Sequence, residues 1–294
     1  MINLVAHFYQ GKQGKLFRLS RTPEKIKGHI LYISPLFEEA NQTRHMITKV
    51  ANHAFDLGYQ SIVFDHFGTG DSEGELFHCD LTLWQQDIVN QLQEIKRHSD
   101  LPITLSVSLS AGLLLCAEIL SLVEHVHFWQ VELNGARFVR QLKRLALAAG
   151  IEKRDRAEHG VVTPEEMIAI AGYEIPSGLL QQLAEQDING ANYAEQQFEL
   201  NCCWFEWTPV GQKISAVREK QLTQCQQVFA EKMDFRPMEE SKFWQATELV
   251  NATQLLAHSI EAFDKQLISR KVAKRQNSEV ALQVSQDNSG GHDA

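Results

Sequence analysis

The sequence predicts an α/β fold in which a mostly parallel sheet is flanked by helices and interrupted by a helical insertion. Three observations carry the prediction. Strand-length apolar runs recur at His29-Ile-Leu-Tyr-Ile-Ser34, Ser61-Ile-Val-Phe-Asp65, Leu101–Ser108 and Val126-His-Phe-Trp-Gln-Val-Glu132. Helix-period segments lie between them, and regular alternation of strand and helix favours parallel pairing with right-handed crossovers. The third observation is Ser108-Leu-Ser110-Ala-Gly112, where an apolar strand breaks and apolar sequence then resumes as Leu-Leu-Leu-Cys-Ala-Glu-Ile-Leu120.

The elements follow in order. Ala6-His-Phe-Tyr-Gln10 and Lys15-Leu-Phe-Arg-Leu19 flank Gly-Lys-Gln-Gly, a hairpin with a short glycine loop. After the strand at His29, Met46, Ile47, Val50, Ala54 and Phe55 give helical spacing over Thr43–Leu57, and Gly58 ends it. A helix over Leu83–His98 precedes the strand that ends at Ser108. From Asn134 to about Phe198 helical segments and Gly/Pro-punctuated loops replace the strands, which marks an insertion. Strands return at Leu200–Trp207 and Met233–Met238, followed by a helix over Ala246–Leu267. The reading is one domain over residues 1–270 with a helical cap at about 136–195, and a polar tail, 271–294, without the apolar content to order itself.

Composition excludes several classes. At 294 residues, with 44% hydrophobic and 22% charged residues, the chain can bury a sizeable core. A net charge of −9 argues against nucleic acid as a partner. No apolar run reaches the roughly 18 to 20 residues that span a bilayer, and the first residues do not read as a secretory leader, so a cytoplasmic protein is expected. Five cysteines, two of them adjacent at Cys202-Cys203, suit neither a disulfide framework nor a C-x-x-C metal site. No metal and no cofactor is predicted.

The chemistry-bearing stretch is the break at Ser108–Gly112. A serine at the apex of a tight strand-to-helix turn is the context of a nucleophile elbow, and small residues around the apex admit close backbone approach. Ser110 is the nucleophile candidate, with the helix beginning near Ala111 aiming backbone N–H groups at an oxyanion. Leu36 or Phe37, after the first parallel strand, are the second oxyanion donors, alongside Ala111. The simpler alternative is a buried strand followed by a serine-capped helix.

A serine nucleophile needs a base and an acid that orients it, in chain order serine, acid, histidine for such a fold. Glu206 and Glu132, each near a strand end, are the acid candidates. The loop after the last strand, Pro237-Met-Glu-Glu-Ser-Lys-Phe-Trp244, holds no histidine, which leaves His258 in the terminal helix and His159 in the insertion as base candidates. Asp65-His-Phe-Gly68-Thr-Gly70-Asp-Ser72-Glu-Gly74 is not a dinucleotide fingerprint, because its third glycine comes one position late. In the insertion, Arg137, Arg140 and Arg144 share one helical face, with Phe138, Leu142, Leu145 and Ala149 on the other. Such a face suits an acidic ligand or peripheral membrane contact, or is simply solvated.

Several blocks together resemble one family. Pro35-Leu-Phe-Glu-Glu-Ala-Asn-Gln-Thr-Arg44, Phe64-Asp-His-Phe-Gly-Thr-Gly-Asp-Ser72, Trp129-Gln-Val-Glu-Leu-Asn-Gly135, Ala171-Gly-Tyr-Glu-Ile175 and Phe243-Trp-Gln-Ala-Thr-Glu-Leu249 are similar, in order and spacing, to the exosortase A system-associated hydrolases of type 2. The resemblance implies an α/β-hydrolase fold with a cap insertion and a role in exopolysaccharide biosynthesis. Many members of the family it resembles carry arginine, in a G-L-R-x-G pattern, where this chain has Ser108-Leu-Ser110-Ala-Gly112. Two functions are therefore expected: a serine hydrolase of ester or thioester type acting on a small or lipid-linked substrate, or a catalytically inactive hydrolase-fold protein binding an acyl or glycolipid intermediate or a partner protein.

Overall fold

A computed structural model describes residues 4–148, 167–170, 172–187, 193, 198, 200–229, 233–246 and 248–268. Its centre is an eight-stranded sheet in the order β1-β2-β4-β3-β5-β6-β9-β10. The strands are β1 (Leu4–Gln10), β2 (Lys15–Arg21), β3 (Gly28–Ile33), β4 (Tyr59–Phe64), β5 (Ile103–Ser108), β6 (His125–Trp129), β9 (Asn201–Trp207) and β10 (Met233–Met238). β1 pairs antiparallel with β2 and β2 antiparallel with β4, while every pair from β4 to β10 is parallel. β3 and β5 are buried along their whole length, as expected of strands covered on both faces.

Each face carries its own apolar core. On one, α1 (Glu38–Leu57) buries Met46, Ile47, Val50, Ala51 and Ala54, beside a terminal helix α7 (residues 253–268) that contributes Leu255 and Phe263. On the other, α2 (Leu81–His98) buries Trp84, Ile88 and Leu92, and α6 (Ala216–Phe229) adds Cys225 and Phe229. The α1 spacing was legible. The helix begins before that spacing, at Glu38 after the Pro35 stop, with Glu38 and Glu39 in the favourable first turn. Gly58, at φ 98°, closes α1 through its N–H to the Ala54 and Phe55 carbonyls. Asp80 caps α2 by accepting from Leu83 N at 2.7 Å.

Two segments depart from the sequence reading. The apolar run after Ser108 does not continue as one helix: Leu109–Leu114 form a tight 3-10 turn, Leu115 and Cys116 are extended, and only α3 (Ala117–Ser121) is α-helical. Leu113, Leu114 and Leu115 are all buried, and the Leu115 carbonyl accepts from Tyr193 Oη at 2.6 Å, so packing overrides helical propensity here. Between β6 and β9, α4 (Gly135–Ala148) and α5 (Ser177–Ala184) are joined by an antiparallel hairpin, β7 (Met167–Ile170) with β8 (Tyr173–Pro176), where the sequence predicts only helical segments and loops. Residues 269–294, which include the expected tail, lie outside the described residues, as does His159.

The two sheet edges differ. β10 carries Asp234, Arg236 and Pro237, and Pro237 has no N–H to offer an approaching strand. β1 reads Leu-Val-Ala-His-Phe-Tyr-Gln, with Leu4, Val5 and Phe8 about half exposed.

Candidate functional site at the strand switch point

The chain runs from β3 to β4 on one side and later returns to place β5 on the other, so β3 and β5 border the crevice where open α/β sheets bind ligands. Backbone strain concentrates at this edge. The non-glycine residues of positive φ among those described are Phe37 (56°), Leu109 (49°) and Gln130 (47°), each shortly after one of the adjacent strands β3, β5 and β6. Strain of this kind costs about 1–3 kcal/mol per residue and persists where surrounding structure over-determines it.

The residue in the strained position directly after β5 is Leu109, not Ser110. Ser110 is the next residue, fully buried in the 3-10 turn, and its hydroxyl oxygen accepts from Leu36 N at 2.8 Å. The expected apex is therefore one residue late, and the same shift moves the oxyanion donor. In an elbow the donating N–H belongs to the residue after the apex. That N–H is Ser110's rather than Ala111's, and it donates to the Glu39 carboxylate at 3.0 Å. The Leu36 N–H, expected as a second donor, is spent on the Ser110 hydroxyl. Phe37 takes the strained backbone that starts α1, its ring lying 5.7 Å from that of Tyr173 in the insertion. The short 3-10 turn supplies no long helix whose dipole could support a developing charge.

Glu39 thus sits where an acyl oxyanion would. Burial pushes its carboxyl above the usual carboxylate range, the hydroxyl and N–H of Ser110 pull it back down, and the Glu132 charge adds to the rise. Gly112 lets the turn pack against the segment after β6: a Cβ there would lie 2.3 Å from the Glu132 carbonyl.

The acid candidates are committed elsewhere. Glu206 is buried and accepts from Arg218 Nε at 2.8 Å and Nη2 at 2.6 Å, from Trp204 Nε1 at 2.9 Å and from Gln130 Nε2 at 3.0 Å. Glu132 holds Arg137 in a two-point ion pair at 2.8 and 2.9 Å and accepts from Asn134 N, which organises the start of α4. His258 belongs to a charged cluster between β10 and α7, with its Nδ1 3.8 Å from Glu261 and its carbonyl accepting from Arg236 at 2.8 Å. None of these residues is a hydrogen-bond partner of Ser110. The loop after β10 supplies Glu240, whose carboxylate accepts from Gln254 N and Leu255 N, both at 3.0 Å, and so caps α7 where a catalytic histidine was sought.

Sequence reasoning missed Leu109, Glu39 and His66. His66, after β4, contacts the Ser34 carbonyl at 3.3 Å, and burial lowers it to about 4, so it is neutral behind the end of β3. The only available signals were the acidic pair opening α1 and a histidine upstream of the serine rather than downstream. The Asp65–Gly74 loop is architectural. Asp65 accepts from Arg44 at 3.0 Å and Asp71 N at 3.1 Å, while Ser72 Oγ donates to the Asp65 carbonyl at 2.6 Å and accepts from Phe17 N at 2.8 Å.

A cavity of about 470 Å³ opens at the opposite, amino ends of β6, β9 and β10, lined in part by His125, His127, Cys203, Asp234 and Gln266. Burial lowers His125 to about 4 and raises Cys203 to about 12, so both are uncharged near neutrality. Among the described residues no cluster of histidine, cysteine, aspartate or glutamate could hold a metal ion.

Comparison with solved structures settles the architecture. Est1E from Butyrivibrio proteoclasticus, with bound ferulic acid, superposes with a TM-score of 0.62 at 13% identity, covering 90% of this chain and 100% of that one. The chain has the α/β-hydrolase fold. Alpha/beta hydrolase domain-containing protein 10 from mouse (TM-score 0.58, 15% identity, 89% and 99% covered) is similar to it, as is a soluble variant of monoglyceride lipase from Saccharomyces cerevisiae (0.55, 14%, 89% and 95%). No family model and no curated protein matches. Within this α/β-hydrolase fold, no described helix is long and apolar enough to cross a membrane.

Proposed function

We propose that this chain is a non-hydrolytic α/β-hydrolase-fold protein that binds an acyl or lipid-linked intermediate of exopolysaccharide biosynthesis, within an exosortase-linked system on the cytoplasmic side. One observation carries the reading: Leu109 occupies the elbow, and the neighbouring Ser110 N–H is already satisfied by Glu39. A leucine side chain cannot form an acyl-enzyme, and the base candidate His258 is committed to the charged cluster between β10 and α7. The motif blocks from Pro35 to Leu249 support the pathway, whereas the structural neighbours support only the fold.

A second reading is an ester or thioester hydrolase with Ser110 as nucleophile. It is favoured by the Ser110 hydroxyl and N–H facing the Glu39 carboxylate, a group able to accept a proton.

Labelling with a fluorophosphonate probe decides between them. The expected result is no labelling of wild-type protein from neutral to alkaline pH, with Ser110→Ala indistinguishable from it. Labelling that disappears in Ser110→Ala overturns the non-hydrolytic reading and installs the second.

A further inference from the structure

We propose that the outer face of α4 is a docking surface for an anionic lipid bilayer. The inner side of α4 is fixed by Phe138 and Val139, both 6% exposed, with Leu142 packed partly against the same core. The opposite side presents Arg140, Lys143, Arg144 and Leu147, at i, i+3, i+4 and i+7, as one stripe. Arg137 is neutralised by Glu132, but Arg140, Lys143 and Arg144 make no ion pair among the described residues.

Charge complementarity singles this helix out. The chain has 37 acidic residues and a net charge of −9, yet α4, Gly-Ala-Arg-Phe-Val-Arg-Gln-Leu-Lys-Arg-Leu-Ala-Leu-Ala, contains none. A helix face that was merely solvated would be expected to intersperse acids with its bases for i, i+4 pairing. Cations alone would suit any polyanion. Leu147 distinguishes a bilayer, because it stands 82% exposed at the carboxyl end of the cationic stripe, in line with Arg140, Lys143 and Arg144. A soluble polyanion gains nothing from an apolar side chain there. A bilayer accepts leucine below the headgroups while arginine and lysine reach back to the phosphates. Attraction to anionic headgroups then offsets repulsion of the acidic remainder. α4 starts beyond the carboxyl end of β6, the same end of the sheet as the candidate site. The docking itself does not depend on how that site is read.

The test is co-sedimentation of the full chain with phosphatidylcholine vesicles, with and without roughly 30 mol% phosphatidylglycerol, in about 0.05 M and about 0.5 M salt. Wild-type protein is expected to partition at least about tenfold more strongly into the anionic vesicles at low salt, and to lose most of that preference at high salt. Combining Arg140→Gln, Lys143→Gln and Arg144→Gln should lower binding about tenfold or more. Leu147→Gln should lower vesicle binding about fivefold while leaving binding to soluble heparin unchanged. All four side chains are exposed, and unchanged circular dichroism and urea midpoints certify the variants; the Lys143→Gln, Arg144→Gln pair stands in should the triple variant misfold. Equal partition into both vesicle types, indifference to these substitutions, or capture by heparin without vesicle binding would each overturn the proposal. So would an undiminished response in Leu147→Gln.

Discussion

Asp87 shows how far a single buried group can set the pH response of this chain. Its side chain is inaccessible, one oxygen accepting from Lys12 N at 2.8 Å and the other lacking a partner, and burial raises its pKa from 3.8 to about 6. Between those values the unfolded chain releases a proton that the folded chain keeps, so this group's contribution to stability falls as pH rises from about 4 to about 6. Fully developed above the folded value, the loss is of order 3 kcal/mol. Asp87→Asn keeps the acceptor for Lys12 and removes the ionisation. Relative to wild type, its urea-unfolding free energy should improve by up to about 3 kcal/mol on going from pH 4 to pH 7.5, and an unchanged difference would refute the account. The same scale explains the one-residue error at the elbow. Ser110 is the chemically conspicuous residue, but which residue adopts positive φ depends on where β5 stops pairing with β6, at Ser108 opposite Trp129. No pattern in Ser-Leu-Ser-Ala-Gly encodes that register.

Among the elements, α6 is held by one arginine. Arg218 meets Glu206 of β9 through two nitrogens, donates to the Val131 carbonyl at 2.8 Å after β6, and lies over the Trp204 ring. Removing the arginine strands a buried carboxylate, so Arg218→Ala should cost about 3–5 kcal/mol in urea unfolding. The double variant Arg218→Met with Glu206→Leu should recover most of that loss, and a double variant as unstable as the single one would deny the pairing its role. Helices with strong apolar periodicity, α1 and α2, could be read from their spacing. α6 could not, because Gln221, Cys225 and Phe229 are its buried residues and only the last is a large apolar side chain. The hairpin inside the insertion has no sequence signature for a related reason: strands of Met-Ile-Ala-Ile and Tyr-Glu-Ile-Pro are too short to display a period.

For the whole molecule, the strand order follows from alternation and handedness, which long apolar runs announce plainly. The loops that decide chemistry are short and polar, and their sequence does not say which atom they face. Glu240 capping α7 in place of a histidine is a case in point. The unequal borders of the sheet have a practical consequence. One flank is shielded by proline and charge, while the strand Leu4–Gln10 offers open backbone groups and no charged residue. Clumping in concentrated or heated samples should therefore begin from the amino-terminal flank, and light scattering on heating should fall in Phe8→Lys but not in a lysine substitution at Val210, an equally greasy surface position away from any strand. A purification tag appended ahead of Leu4 would act as a bumper, and moving it to the far terminus would be expected to shorten shelf life.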